Sequence, residues 1–159
     1  MPKHNSKVEI LPANLWDLNA VRELEHLSFP LDEWPLIEMI GVLSLPSIER
    51  WKAVIQEKLV GFIAADIRKR QRVAWIATIA VHPDFRGQGI GGELMQIAEH
   101  RSGMPAIRLS VRASNKSAQK LYQGRGYEQI DVWPKYYAGD EDAIVMEKKL
   151  VSKKLKAEG

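Results

Sequence analysis

Apolar residues alternate with polar ones in some segments of the chain and recur every three or four positions in others. Residues 8–11 alternate as a short strand does, and the apolar positions within 15–27 have helical spacing behind Asn14, a candidate N-cap. Pro30 and Pro35 are predicted to end that helix, because proline lacks an amide donor and restricts the residue before it. The opening segment therefore predicts a strand, a helix and a loop that exposes two aromatic side chains.

The rest of the chain continues this pattern of short periodic segments separated by polar or glycine-containing turns. It predicts a helix over 36–44, strands over 51–55, 59–66 and 73–81, a helix from the glycine turn at Gly87 to about Gly103, a strand over 107–111, a helix over 116–124, and strands over 128–133 and 143–150. Short turns between the first strands favour antiparallel hairpins. This order predicts an α/β fold of the α+β kind, with one mixed sheet of about six or seven strands and helices on both faces.

Length and composition limit the architecture. The chain has 159 residues, of which 45% are apolar and 27% charged, so we expect a single domain over residues 1–159 that folds by itself. It has no cysteine, which excludes disulfides and any cysteine thioester mechanism, and its four histidines lack metal-ligand spacing, so no metal is expected. The chain has no apolar run close to the roughly 20 residues that span a bilayer, so we expect a cytoplasmic protein. We expect it to be a monomer or a homodimer.

The net charge of +3 comes largely from lysines in the final segment. Such a cluster is more typical of a solvated terminus than of a nucleic-acid-binding groove, so no specific nucleic-acid partner is predicted.

A glycine-rich turn over residues 86–92 follows a predicted strand and opens a predicted helix. Unpaired amides and the positive end of the helix dipole converge there, which is suited to a diphosphate, although glycines that serve only a tight turn would look the same. A Walker loop is excluded, because Gly92 is followed by Glu93 and Leu94 rather than by Lys and Ser or Thr. The dinucleotide fingerprint fits formally, but an acidic residue about 20 positions later is missing.

Three ordered motifs lie between residues 79 and 146. They are Arg86-x-x-Gly89-x-Gly91, Asn115-x-x-Ala118-x-x-Leu121-Tyr122-x-x-x-Gly126-Tyr127, and Tyr136-Tyr137 followed by Glu141-Asp142-Ala143-x-x-Met146. On these motifs the chain resembles the GNAT family of acetyl-CoA-dependent N-acetyltransferases, and within it the group that acetylates ribosomal-protein alanine and archaeal protein N-termini. The resemblance implies an enzyme that moves an acetyl group from acetyl-CoA to the N-terminal α-amine of a protein or peptide, by direct transfer in a ternary complex.

The same resemblance implies the residues that hold the cosubstrate. Main-chain groups of the strand before the glycine turn would lie beside the pantetheine arm, and the turn would hold the diphosphate. The implied set is Ile79, Ala80, Val81, Arg86, Gly87, Gln88, Gly89, Ile90, Gly91, Gly92, Asn115 and Lys120. Asn115 is equally a helix N-cap, and Lys116 and Lys120 are equally a solvated helix face.

Tyr122 lies about two helical turns after Asn115, so both occupy one face of the helix. The resemblance implies that its phenol protonates the departing thiolate; a core tyrosine with a bonded hydroxyl is the alternative. It further implies an acceptor site formed by Phe29, Pro30, Leu31, Tyr136 and Tyr137. Phe29 and Leu31 could equally pack at the helix end.

Ser110 departs from the resemblance, because bacterial members carry a glutamate base at that position. An ordered water, Tyr137 or Glu33 would have to take its place. Since an α-amine has a pKa of about 7.7–8.0 and a lysine amine about 10.4, a weak base suffices for the α-amine. An acetyltransferase for a small-molecule amine and a non-catalytic acyl-CoA-binding module remain alternatives.

Overall fold

The structure, a computed structural model, describes residues 7–32 and 34–150. The elements are β1 (Glu9–Pro12), α1 (Leu18–Ser28), α2 (Leu36–Ser44), β2 (Ile48–Ile55), β3 (Lys58–Arg68), β4 (Val73–Val81), α3 (Ile90–Arg101), β5 (Ala106–Arg112), α4 (Lys116–Gly124), β6 (Glu128–Tyr137) and β7 (Glu141–Lys149). Short 3-10 turns at Leu15–Asp17 and Pro83–Phe85 precede α1 and α3.

The predicted helices and strands are confirmed as elements, but β2 begins earlier, at Ile48, and β6 continues further, to Tyr137. Further corrections concern α1. The Asn14 side chain accepts from the Trp16 amide at 2.9 Å and caps the 3-10 turn, so α1 itself begins later, at Leu18. Leu15 and Leu27, expected on the apolar stripe, are each 46% exposed. The expectation of two exposed aromatic residues in the next loop is also wrong, because Phe29 and Trp34 pack against a buried cluster.

Seven strands form one mixed sheet in the order β1-β2-β3-β4-β5-β7-β6. The β4–β5 pair is parallel and every other neighbouring pair is antiparallel. Val21 of α1 and Met39 of α2 belong to the apolar cluster on one face, whereas Ile90 and Leu94 of α3 belong to the cluster on the other. The predicted mixed sheet with helices on both faces is therefore confirmed.

The parallel strands β4 and β5 separate soon after they begin. They pair at Ala74↔Ile107 and Trp75↔Arg108, with no further pairs. Next to this point β4 has a bulge, because Ala65 of β3 pairs with Ile76 and Ala64 pairs with Thr78. A bulge bends its strand and increases the local twist. The second halves of β4 and β5 therefore form the walls of a cleft instead of a continuous sheet.

No helix within residues 7–32 and 34–150 has the length and apolar character needed to cross a membrane. The same residues hold no group of three or more histidine, cysteine or carboxylate side chains that could bind a metal ion.

Candidate active site

The cleft between the separated strands contains two adjoining cavities. One has a volume of about 470 Å³ and reaches the glycine-rich turn, and the other has about 320 Å³ and reaches the β6–β7 hairpin. Both are lined by Phe29, Ile79, Asn115, Ala118 and Tyr122. The two cavities therefore meet at Tyr122, which lies between the glycine turn and the hairpin.

The glycine-rich turn shapes the larger cavity, which we call the glycine cavity. Gly87 and Gly89 have φ angles of +78° and +82°, a region that L side chains rarely adopt, and a Cβ on either would meet nothing within 4 Å. Gly89 is also the N-cap of α3, so the unpaired amides of the first helical turn face the cavity end. Open space, free amides and the positive helix end are what a diphosphate requires.

The end of β4 is tied to the same turn. The Arg86 Nε donates to the Val81 carbonyl oxygen at 3.1 Å. This bond fixes the Arg86 side chain beside the cavity, because Arg86 and Val81 both line it. The side chains of Ile79 and Val81 pack partly buried against the core, as expected of a strand whose main chain faces the cleft.

Most of the residues predicted to hold the cosubstrate come together here. The glycine cavity is lined by Ile79, Ala80, Val81, Arg86, Gly87, Gly89, Ile90, Gly91, Gly92 and Asn115. Gln88 and Lys120 are not among its lining residues, and Lys120 is exposed. The Asn115 Oδ1 accepts from the Ala118 amide at 3.2 Å, so Asn115 is an N-cap that also lines the cleft.

Tyr122 is 9% exposed, and its ring meets that of Tyr127 edge to face at 5.9 Å between centroids. Burial raises the pKa of Tyr122 to about 12, with a smaller contribution from the nearby phenol of Tyr137. No described residue makes a hydrogen bond with its hydroxyl, in contrast to the alternative of a core tyrosine with a bonded hydroxyl. The phenol is therefore protonated at neutral pH.

The smaller cavity, which we call the hairpin cavity, contains three of the five predicted acceptor residues. Phe29, Tyr136 and Tyr137 line it, whereas Pro30 and Leu31 do not, and Leu31 is 74% exposed. The Ser110 Oγ lies 3.0 Å from the Tyr137 hydroxyl. Burial raises the pKa of Tyr137, partly offset by the Ser110 hydrogen bond. Glu33, the other candidate base, lies outside the described residues.

An ionic clasp that the sequence analysis missed lies at the hairpin cavity, which Asp32 and Arg112 both line. The Arg112 Nε and Nη2 each donate to Asp32 at 2.7 Å, and its Nη1 donates to Glu141 at 3.0 Å. The Asp32 hydrogen bond is the largest cause that raises the pKa of Arg112; the Ser114 and Arg112 hydrogen bonds lower that of Glu141. The α1–α2 loop and the β6–β7 hairpin are thereby held against the same strand end.

A buried carboxylate beside the bulge was also missed. Thr78 Oγ1 donates to Glu25 Oε1 at 2.6 Å, and the two residues are only 7% and 1% exposed. Thr78 also lines the hairpin cavity. Two sequence features could have pointed to this contact: a threonine within an apolar strand and a glutamate on the apolar side of a helix. Their pairing could not be predicted, because it depends on the bulge.

Comparison with known proteins places these features in a family. Residues 16–127 match the model of the acetyltransferase (GNAT) family. An uncharacterized N-acetyltransferase of Methanocaldococcus jannaschii is 34% identical over 137 residues, which is 84% of this chain and 86% of the relative. The ribosomal protein bS18-alanine N-acetyltransferase of Escherichia coli is 39% identical over 79 residues, which is 46% of this chain and 53% of that protein.

Solved structures share the fold. The crystal structure of the Escherichia coli ribosomal-protein-S18-alanine N-acetyltransferase has a TM-score of 0.84 at 24% identity, with 92% of this chain and 96% of that chain covered. NAA60 of Arabidopsis thaliana, crystallised in complex with acetyl-CoA, has a TM-score of 0.79 at 21% identity, with 91% and 100% covered.

Proposed function

This chain belongs to the acetyltransferase (GNAT) family and is an acetyl-CoA-dependent N-acetyltransferase, and on that premise we propose that its acceptor is the N-terminal α-amine of a protein or peptide. The names of relatives that act on ribosomal-protein alanine or on N-terminal amines support this class of acceptor. We further propose that residues 1–159 form one catalytic domain.

The meeting of the two cavities at Tyr122 is the observation that carries the proposal. In this proposal, acetyl-CoA binds in the glycine cavity and the acceptor binds in the hairpin cavity, so the two substrates reach Tyr122 from opposite sides. Main-chain groups of β4 hold the pantetheine arm, because β5 leaves that edge of the strand after Trp75. The amides around Gly89 hold the diphosphate.

Bound acetyl-CoA would supply an acetyl thioester at the junction of the two cavities, beside Tyr122. As the new amide bond forms and the carbon–sulfur bond breaks, the Tyr122 phenol gives its proton to the leaving sulfur. The Val81 amide is the proposed donor to the acetyl oxygen, which gains charge during transfer. The proton that leaves the acceptor nitrogen must go elsewhere, since Tyr122 starts protonated.

The chemistry of the hairpin cavity supports an α-amine, rather than a lysine side chain, as the acceptor. Ser110 is not a base, and the raised pKa of Tyr137 leaves very little phenolate at neutral pH. With neither of these two hydroxyls able to take the proton, we propose that the acceptor binds mainly as the neutral amine. Water takes the proton that the acceptor nitrogen loses and returns one to the Tyr122 phenolate, so the enzyme ends the reaction unchanged. Roughly a quarter of an α-amine is neutral near pH 7.4, compared with about one part in a thousand of a lysine amine.

Two other functions make different predictions. A small-molecule acetyltransferase would use the hairpin cavity for a compact amine, independent of any neighbouring peptide residues. A non-catalytic acyl-CoA-binding module would bind the cosubstrate without turnover, as Ser110 in place of a carboxylate would permit. The aromatic wall of Tyr136 and Tyr137 and the clasp at Asp32 favour a longer, peptide-like acceptor.

A peptide array that varies the first three residues, with release of free coenzyme A as the readout, tests the proposal. We expect turnover that depends on the first two or three residues and disappears when the α-amine is blocked. Turnover that ignores the peptide sequence would favour a small amine. Coenzyme A binding without turnover on any amine would indicate the non-catalytic module.

A further inference from the structure

Arg125 follows α4 directly and is its C-cap, at an unspecified position of the second motif. Its guanidinium extends to the first turn of α3. A Cβ built on Gly92, the third residue of that helix, would lie 3.1 Å from Arg125 Nη1 and 3.9 Å from its Cζ. Gly92 therefore leaves room for an arginine side chain, in addition to lining the glycine cavity.

The position is electrostatically unusual. The first turn of a helix carries the positive end of the helix dipole, and cations are disfavoured there unless an anion lies close by. No described carboxylate forms an ion pair with Arg125. Its Nε is buried and has no hydrogen-bond partner among the described residues.

The neighbouring carboxylate does not fill this role. Glu99 of α3 accepts from the Tyr127 hydroxyl at 3.0 Å through one oxygen and from Lys148 Nζ at 3.0 Å through the other. Both of its oxygens are therefore engaged away from Arg125. The guanidinium lies beside the positive end of α3, next to the residues that line the glycine cavity but not among them, and forms no ion pair with a described carboxylate.

We propose that Arg125 is a further cosubstrate-binding residue, whose guanidinium contacts a phosphate of coenzyme A at the first turn of α3. This inference rests on the proposed use of the glycine cavity for acetyl-CoA. An arginine fork suits a phosphate, because it can donate two parallel hydrogen bonds and remains charged at every working pH. Coenzyme A offers two sites for this contact, its diphosphate and the 3′-phosphate of its ribose.

Calorimetric titration of full-length variants with coenzyme A and with 3′-dephospho-coenzyme A tests the inference. Arg125→Met removes the charge and keeps most of the side-chain volume, while Arg125→Lys keeps the charge without the fork. Arg70→Ala, on the turn at the far end of β4, is the matched control for loss of a surface arginine. Thermal unfolding of each variant checks that it is folded.

We expect Arg125→Met to bind coenzyme A roughly tenfold more weakly, Arg125→Lys to recover part of that loss, and Arg70→Ala to bind as the unaltered protein does. A loss confined to coenzyme A assigns the contact to the 3′-phosphate. A loss shared by both ligands and partly restored by lysine assigns it to the diphosphate.

Unchanged affinity in Arg125→Met, or equal losses in the Met and Lys variants, would overturn the role of Arg125. In either case the proposed function would stand as long as the unaltered protein binds coenzyme A. Failure of the unaltered protein to bind coenzyme A would instead remove the proposed function itself.

Discussion

The two cavities on either side of Tyr122 are built by different means. More than half of the residues that line the glycine cavity come from one continuous stretch, the end of β4 and the turn into α3. The hairpin cavity is made from side chains of separate elements, including Asp32 of the α1–α2 loop, Arg112 of β5 and Tyr137 of β6. A site formed mainly by one continuous segment suits one invariant ligand, whereas a site formed by side chains of separate elements can change its acceptor one residue at a time.

Gly89→Val, which tests the glycine cavity, gives the largest expected effect, a loss of affinity for coenzyme A. The added side chain would point into open space at a φ of +82°, which valine adopts only with strain. We expect coenzyme A binding to fall below detection in calorimetry.

Gly103→Val serves as the control for backbone strain. Gly103 has a φ of +66° and open space around its Cβ, but it does not line either cavity. It should lose stability and keep its affinity for coenzyme A. Equal losses of affinity in both variants would mean that the glycine cavity does not hold the diphosphate.

Tyr122→Phe tests the junction itself. Loss of the phenol proton should lower kcat by roughly 100-fold and leave the Kd for coenzyme A nearly unchanged. Tyr127→Phe, which removes only the hydroxyl that donates to Glu99 at 3.0 Å, should lower stability while kcat remains within a fewfold of the unaltered enzyme. Normal turnover by Tyr122→Phe would remove Tyr122 from the chemistry.

The pH dependence of kcat/KM distinguishes an acceptor that loses its own proton from one that needs an enzyme base. Tyr122, with a pKa of about 12, and Tyr137 and Arg112, whose pKa values are also raised, stay protonated between pH 6 and 9. A raised pKa moves deprotonation to higher pH, so these groups give no activity change in that window.

We therefore expect kcat/KM for a free α-amine peptide to rise about tenfold per pH unit and to level off near the amine pKa of about 7.7–8.0. A peptide whose α-amine has a lower pKa should shift the plateau down by the same amount. A plateau fixed at one pH for both peptides would show that a group of the enzyme takes the proton.

Asp32→Asn gives the smallest expected effect and addresses the hairpin cavity alone. It weakens the clasp to Arg112, so the KM for the peptide should rise about fivefold while the Kd for coenzyme A is unchanged. Asp66→Asn removes a comparable partner of an exposed arginine, Arg68, and should alter neither value. An unchanged KM in Asp32→Asn would separate the clasp from acceptor binding.

The sequence by itself determined the strands, the helices and the glycine turn, because backbone conformation and unpaired amides depend on residues that are neighbours in the chain. Gly87 and Gly89 could be recognised for that reason. Prediction was less accurate where packing decides, as for Phe29 and Trp34, which are partly buried against the core.

Only the tertiary structure decided how β4 and β5 separate and which side chains meet in the cleft. The bulge next to Thr78 sets which residues of β4 face α1, and thereby brings Thr78 to Glu25 across 53 positions of sequence. The Arg112–Asp32 clasp spans 80 positions. Contacts of this range follow from strand register and twist, which are fixed by the packing of the whole sheet.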